Sequence, residues 1–485
     1  MNKLLGIALT LALLLPGMAL TAMSDGAFLE LADMADTAAV AKALGEGANP
    51  NARDKYGTTA LMRATKVGNV GSVAALLQAG ADVNAQDEWG RTALMGALMD
   101  NTGWQGNADV VRLLLASGAN VNATTKDGET ALMHAARYGN AKSIRALLAA
   151  GADVKAADKD GSTALMHAAE NRDAEAVKVL LEAGAGVNTT DKDGRTALIC
   201  AAQADRTDNI KLLLQAGAEA NAVDSNGRTA LMLAAGTSAE AVRLLLQAGA
   251  EANAVNSNGE TSLMQAALYG ESAESLRLLL AAGAAVNGTD AQGETALMRA
   301  AKGKNLGAVT ALLQAGADAN LVDKNGYTAR VWASFRAFQS WVLNKEDDPA
   351  AGCARLLRER ESPQTRLRHW PRTARFWGRM LTIHDPHHFS DDYLPLVVML
   401  GLITAGLSYP LRVVLRGFGL PAAVRHLIFW PLLAGATISL GITTLRETWS
   451  GGDRALSIFL MLLVGIILLL FINLIILIVR SWRRK

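Results

Sequence analysis

Residues 158–185 read DKDGSTALMHAAENRDAEAVKVLLEAGA, and this stretch decides the fold. It opens with Asp158 and, three positions on, Gly161. That spacing suits a tight turn, in which a carboxylate takes local backbone N–H groups and glycine accepts positive φ. Thr163 stands where a helix N-cap is needed, just before Ala164-Leu165-Met166 and the Ala168-Ala169 pair. The alanines let this first short helix approach a neighbour closely. A second helix runs to Leu180-Leu181 and stops at Gly184-Ala185, with glycine just past its C-terminus. Neither helix buries its apolar face alone, so the unit demands stacking against further copies.

The copies are there. Thr-Ala-Leu-Met or a near variant begins at Thr59, Thr92, Thr130, Thr163, Thr196, Thr229, Thr261 and Thr295, with a degenerate copy at Thr328. The intervals are 33, 38, 33, 33, 33, 32, 34 and 33. The turn pair recurs as Asp54 and Gly57, Asp87 and Gly90, Asp191 and Gly194, and Asp224 and Gly227. Leu76-Leu77 and Leu147-Leu148 precede Gly80-Ala81 and Gly151-Ala152 in the same way. A fixed period of this length is the signature of a solenoid.

This layout resembles the ankyrin repeat family across roughly residues 25–360, in its period of about 33 residues and its turn–helix–helix unit. The resemblance implies an all-α solenoid that binds partners across its turn tips and the face of its first helices. One departure is consistent. The family's Thr-Pro-Leu-His becomes Thr-Ala-Leu-Met, with Met62, Met95, Met133, Met166, Met232, Met264 and Met298 in place of histidine and Ile199 in the fifth copy. The hydrogen bonds of that histidine are therefore expected to be absent and the seam between repeats more apolar.

The expected organisation is a signal peptide over 1–24, an N-terminal capping half-repeat over 25–52, eight repeats over 53–320 and a capping repeat over 321–361. A basic and aromatic linker over 362–392 and a membrane domain over 393–485 follow. Phe28, Leu29, Leu31, Val40 and Leu44 mark the first cap at helical spacing. The last cap carries 11 extra residues in a helix-like stretch with Trp332, Phe335, Phe338 and Trp341, which are expected to close the solenoid's end. A five-residue excess around 101–106 predicts a protruding loop with Trp104.

Both ends of the chain point to a membrane. Lys3, the apolar stretch Leu4–Leu15 and small residues at Gly17, Ala19, Ala22 and Ser24 read as a secretory signal, with an uncleaved anchor as the alternative. Uncharged apolar runs at 394–411, 427–445 and 455–479 each meet the roughly 20 residues needed to cross a bilayer, the first narrowly. Trp430, Trp449 and Trp482 sit near the run ends, as interfacial anchors do. Residues 349–485 hold 17 Lys and Arg against 7 Asp and Glu, whereas the rest of the chain holds 30 against 38. Arg412, Arg416, Arg425, Arg480, Arg483, Arg484 and Lys485 fall on one side of the spans, against Arg446, Arg454, Arg375 and Arg379 on the other. That count favours a cytoplasmic C-terminus. Adding Arg366, Arg368 and Arg372 evens the score, and the signal segment breaks the tie towards an exported array. The Ala-, Leu- and Arg-rich composition points to a bacterial inner membrane and a periplasmic array.

Chemistry is sparse. The chain has no Gly-x-Ser-x-Gly, no phosphate-cradling glycine loop and no His-Glu-x-x-His, so no enzyme and no cofactor is expected. The methionine stripe reads as core rather than a soft-metal site. His134, His167 and Cys200 share one register of three successive units, whose spacing of about 10 Å keeps them from meeting at one ion. The same spacing keeps Cys200 and Cys353 from forming a disulfide. His384, His387 and His388 near Asp391 are a weak metal candidate against a plain linker. The basic and aromatic segment from Arg366 to Arg379 suits a bilayer surface better than nucleic acid.

Carried onto this chain, the family's contact surface falls on Tyr56, Trp89, Lys126, Asp127, Lys159, Asp160, Lys192, Asp193 and Asn226 at the tips, joined by Trp104. Protein partners and the lipid bilayer are expected, with no nucleic acid and no small-molecule substrate. The competing reading makes the spans the effector, signalling or conducting, with the array as sensor. The absence of Asp, Glu, Lys, Arg and His inside the runs weighs against conduction.

Overall fold

Thr163 caps the first helix of its unit: its hydroxyl accepts the Met166 N–H at 3.4 Å, and the helix runs Ala164–Ala169. The computed structural model describes residues 23–34, 36–99, 108–269, 273–342, 349–362 and 365. Within them the cap recurs at Thr59, Thr92, Thr130, Thr196, Thr229, Thr261 and Thr295, between 3.2 and 3.4 Å. Each hydroxyl satisfies one of the orphan N–H groups at the helix start. First helices are short, such as Ala60–Val67, Ala131–Arg137 and Ala197–Gln203. Second helices are nine residues long, such as Val70–Gln78, Ala141–Ala149 and Ala174–Glu182.

The second helices end as the Gly-Ala signal predicts. After Val70–Gln78, Gly80 adopts φ +85°, Gly80 N–H donates to Leu77 O at 3.1 Å and Ala81 N–H to Leu76 O at 3.0 Å. Two orphan carbonyls are thereby satisfied by a left-handed residue that only glycine adopts without strain.

The core is the leucine pattern. Leu61, Leu94, Leu132, Leu165, Leu198, Leu231, Leu263 and Leu297 of the first helices are all buried, as are Leu76, Leu114, Leu147, Leu180, Leu213, Leu245, Leu279 and Leu312 of the second. Each contributes about 2 kcal/mol of burial. The seven methionines and Ile199 are buried beside them, which is the core role expected of them. In two units the methionine sulfur also serves the cap. Met62 Sδ accepts the Thr59 N–H and Met133 Sδ the Thr130 N–H, each at 3.4 Å. A thioether is a weak acceptor, but it stands at the right place in the first turn.

Among the described residues the fold is all helix, with isolated bridges such as Arg53 with Thr59 and no strand. Two compact units divide the chain, residues 1–318 with 333–354 and residues 319–332 with 355–485. The first holds the stacked repeats, preceded by capping helices Asp25–Ala32 and Thr37–Gly45 that bury Phe28, Leu29, Leu31 and Val40. In the second, Thr328 Oγ1 donates to Glu361 at 2.8 Å and the Trp332 indole N–H to Asp323 at 3.2 Å. Helix Ala329–Val342 confirms the helical stretch of the last cap. The side chains of Phe335, Phe338 and Trp341 lie outside the described residues, as do residues 1–22, the loop with Trp104, His384, His387, His388 and all three apolar runs. Among the described residues no helix is long and apolar enough to cross a membrane.

Candidate functional site

Each turn tip is built by one side-chain oxygen, an aspartate's in most units. Asp54 Oδ1 accepts the N–H of Tyr56 and of Thr58, both at 2.9 Å, and Gly57 N–H closes the turn onto Asp54 O at 2.9 Å. Burial pushes the Asp54 carboxyl up, but these N–H groups and Arg63 outweigh it and hold the pKa below the usual carboxylate value. Thr125 and Asn256 do the same work where aspartate is replaced. Adjacent tips are then joined backbone to backbone: Glu88 N–H to Tyr56 O at 3.0 Å, Lys126 to Trp89 at 2.8 Å, Lys159 to Asp127 at 2.8 Å and Lys192 to Asp160 at 2.8 Å. Gly90 has φ +78°, and a Cβ there would meet Lys126 N at 2.9 Å, so the close approach of tips needs glycine.

This zipper leaves the side chains between the bonded groups facing solvent. Tyr56 and Trp89 are 44 % and 46 % exposed, with ring centroids 5.7 Å apart. Lys55 lies over the Tyr56 ring at 4.8 Å and Arg91 over Trp89 at 4.4 Å. Lys126, Asp127, Lys159, Asp160, Lys192, Asp193 and Asn226 are all exposed along the same line of tips. Lys192 Nζ lies 3.9 Å from Asp160, a distance at which an exposed pair adds little stability.

Below the first tips a groove of about 510 Å³ opens along the first helices, with Asp33, Asp54, Arg63, Arg91, Glu129, His134, Arg137 and Tyr138 among its lining. Within it Arg63 reaches Asp33 at 2.5 Å and Asp54 at 2.8 Å, and Arg137 reaches Glu129 at 2.5 Å. Burial holds the His134 pKa down to about 4 and lowers that of His167, so both rings are neutral near pH 7. Burial raises the Glu129 carboxyl, yet the Arg137 hydrogen bond and the neighbouring charges bring it below its ordinary value. A second groove of about 480 Å³ is lined by Leu233, Gln265 and Tyr269, the last strongly exposed. Sequence reading singled out the tips and His134 but missed the rest of these groove residues, which come from different registers of successive units.

Cys200 and Cys353 are buried free thiols, and burial pushes Cys200 up to about 12, so it stays protonated. Cys200 does not join His134 and His167 in a common site. One donor set does come together among the described residues: Glu129, Asp158 and His167, whose ligand atoms lie within 4.8 Å of one another.

A family model described as ankyrin repeats in three copies matches residues 30–125, 98–191, 175–256, 235–323 and 263–340. The chain belongs to the ankyrin-repeat family. Solved structures similar to it include the ankyrin repeat domain of Bcl-3, a member of the IkappaB protein family, at 32 % identity and TM-score 0.38, covering 45 % of this chain and 97 % of that one. The human ASB11 ankyrin repeat domain is 25 % identical with a TM-score of 0.40, covering 46 % of this chain and 96 % of that one. No curated protein matches by sequence. The ankyrin array is a protein–protein interaction module, and ankyrin-repeat proteins are in general non-catalytic scaffolds.

Proposed function

We propose that this chain is a non-catalytic interaction scaffold whose ankyrin array stands on the periplasmic side of a bacterial inner membrane, held there by C-terminal helices near 394–411, 427–445 and 455–479. The array captures a protein partner at its tips, and the C-terminus is cytoplasmic. The observation that carries the binding surface is the exposed Tyr56–Trp89 pair, each ring faced by a cation. Exposed aromatics held by a rigid backbone lose little entropy on binding and are frequent anchors of interfaces. The charged tips Lys126-Asp127, Lys159-Asp160 and Lys192-Asp193, with Asn226, supply a polar rim of both signs. Trp104, in the extra residues of the same unit as Trp89, is a further contact residue in this reading.

The placement rests on the sequence: a basic start followed by a short apolar core, three uncharged runs, and the arginine bias. The test is protease accessibility of the array in intact spheroplasts carrying a C-terminal tag. Digestion of the array with a protected tag supports the placement. An array that resists protease until the membrane is breached puts it in the cytoplasm and overturns the exported reading.

A further inference from the structure

Two positions in each unit lie over its turn aspartate, the residue four places on and the residue nine places on. In five units an arginine at one of them holds the aspartate's second oxygen: Arg63 on Asp54 at 2.8 Å, Arg91 on Asp87 at 2.7 Å, Arg195 on Asp191 at 2.8 Å, Arg228 on Asp224 at 2.7 Å and Arg299 on Asp290 at 2.6 Å. The unit of Asp158 differs. Its Oδ1 accepts the N–H groups of Asp160 at 2.9 Å and Ser162 at 2.8 Å as usual, but the two positions hold Ser162 and His167, neither a permanent cation.

The chain contains its own reference for what this substitution removes. Glu260, Asp290 and Arg299 occupy the same three positions, across a pair of adjacent units, as Glu129, Asp158 and His167. There the Arg299 guanidinium bridges the two carboxylates, 2.8 Å from Glu260 and 2.6 Å from Asp290. At the other site an imidazole stands in its place, with Glu129, Asp158 and His167 donor atoms within 4.8 Å of one another. His167 Nε2 lies 3.4 Å from Arg137, and a guanidinium only donates, so that nitrogen carries a lone pair. Beside them, His134 is 1 % exposed and its Nε2 has no hydrogen-bond partner, lying 3.6 Å from Glu129 Oε2. A buried nitrogen left unsatisfied is costly unless something meets it.

We propose that Glu129, Asp158 and His167 hold a divalent transition-metal ion of zinc chemistry, in the place that Arg299 fills between Glu260 and Asp290. An imidazole with two carboxylates is a ligand set for zinc, whereas calcium and magnesium favour oxygen alone. Bond lengths of about 2.0–2.2 Å require the donors to draw together by roughly 1 Å, within the reach of the Glu129 side chain. Two carboxylates neutralise the dication, and the unsatisfied His134 Nε2, 3.6 Å from Glu129 Oε2, is a donor for the fourth position. Arg137 gives up one Glu129 oxygen and the His167 Nε2 lone pair as the ion enters. The ion then ties the unit of Thr130 to that of Thr163, as the guanidinium ties the units of Thr261 and Thr295.

The test is zinc binding by the purified full-length chain, read by competition with a chromophoric chelator, together with the visible spectrum after cobalt addition. His167→Arg rebuilds the arrangement of Arg299, and Asp158→Asn keeps the turn that Asn256 makes elsewhere, so both variants fold; circular dichroism checks this. The wild type is expected to bind one more equivalent than either variant, at least tenfold more tightly at that site. Zinc is expected to raise its melting temperature and to leave theirs unchanged. Comparing stoichiometry with the variants separates this site from any binding by His384, His387 and His388. Equal stoichiometry in all three proteins, or no binding by the wild type at micromolar zinc, overturns the proposal.

Discussion

Asn122 ties its unit to Gly151 of the next: its Nδ2 donates to Gly151 O at 3.1 Å, while its Oδ1 accepts the N–H of Asp153 at 2.9 Å. Asn51, Asn84, Asn188, Asn221 and Asn253 make the same pair of bonds to the unit that follows. An amide is the one short side chain with both a donor and an acceptor in this fork, so asparagine joins one unit to the next through two backbone bonds at once.

Lys155 interrupts that ladder, 33 residues from both Asn122 and Asn188. Its ammonium only donates and cannot take the N–H that asparagine would. Lys155→Asn is expected to stabilise the array by about 1 kcal/mol, the net worth of one or two added hydrogen bonds at an exposed site. Urea unfolding followed by circular dichroism measures this, and a variant no more stable than the parent contradicts the ladder's energetic role.

The helix caps give the opposite sign. Thr196 Oγ1 accepts the Ile199 N–H at 3.3 Å and is buried, so Thr196→Ala leaves that N–H without a partner. A loss of about 1–2 kcal/mol is expected, with Thr196→Ser recovering most of it. If serine proves as damaging as alanine, the threonine acts through its methyl group and not through the cap.

Much of this was legible in the chain because it is local. The Thr caps, the Asp turns and the Gly-Ala stops each act within five residues, and Thr163, Asp158 and Gly184 announce them by identity and spacing. The asparagine ladder was present as a recurring residue but escaped notice, because Asn122 acts on a carbonyl 29 residues away. The Glu129, Asp158 and His167 cluster escaped for a related reason. His134, His167 and Cys200 share one register and do not converge, whereas stacking brings together three different registers of adjacent units. The methionine pattern reads as apolar core, which hides that the Met62 sulfur also accepts the Thr59 N–H.

The tip aromatics separate stability from binding. Tyr56 and Trp89 are about half exposed and meet in a tilted ring contact, so Tyr56→Ala with Trp89→Ala is expected to cost less than about 1 kcal/mol of folding free energy. Partner association is expected to fall at least about tenfold, as for an interface anchor. A photo-crosslinker at Glu88, an exposed tip residue next to Trp89, reports it: a discrete adduct in the parent should vanish in the double variant. An adduct of undiminished yield moves the contact surface elsewhere.

Arg299 offers a test in which pH carries the sign. It is surrounded by Glu260, Asp290 and Glu294, at 2.8, 2.6 and 3.0 Å, and its side chain is mostly buried. Burial raises the Asp290 carboxyl, but the Arg299 hydrogen bond and the turn N–H groups prevail and depress its pKa below 3.8. A carboxylate depressed in the folded state contributes stability that is fully present above its unfolded pKa and is lost as pH falls through the folded one. Arg299→Met strands these charges, and at pH 7 it should cost about 3 kcal/mol. Below about pH 4 the unfolded carboxylates take up protons first, so the parent loses the advantage that the variant never had, and the gap between them should narrow. Urea titrations at neutral and acid pH measure that gap. A difference that stays constant across the range assigns the effect to lost packing of the arginine stem and removes the electrostatic account.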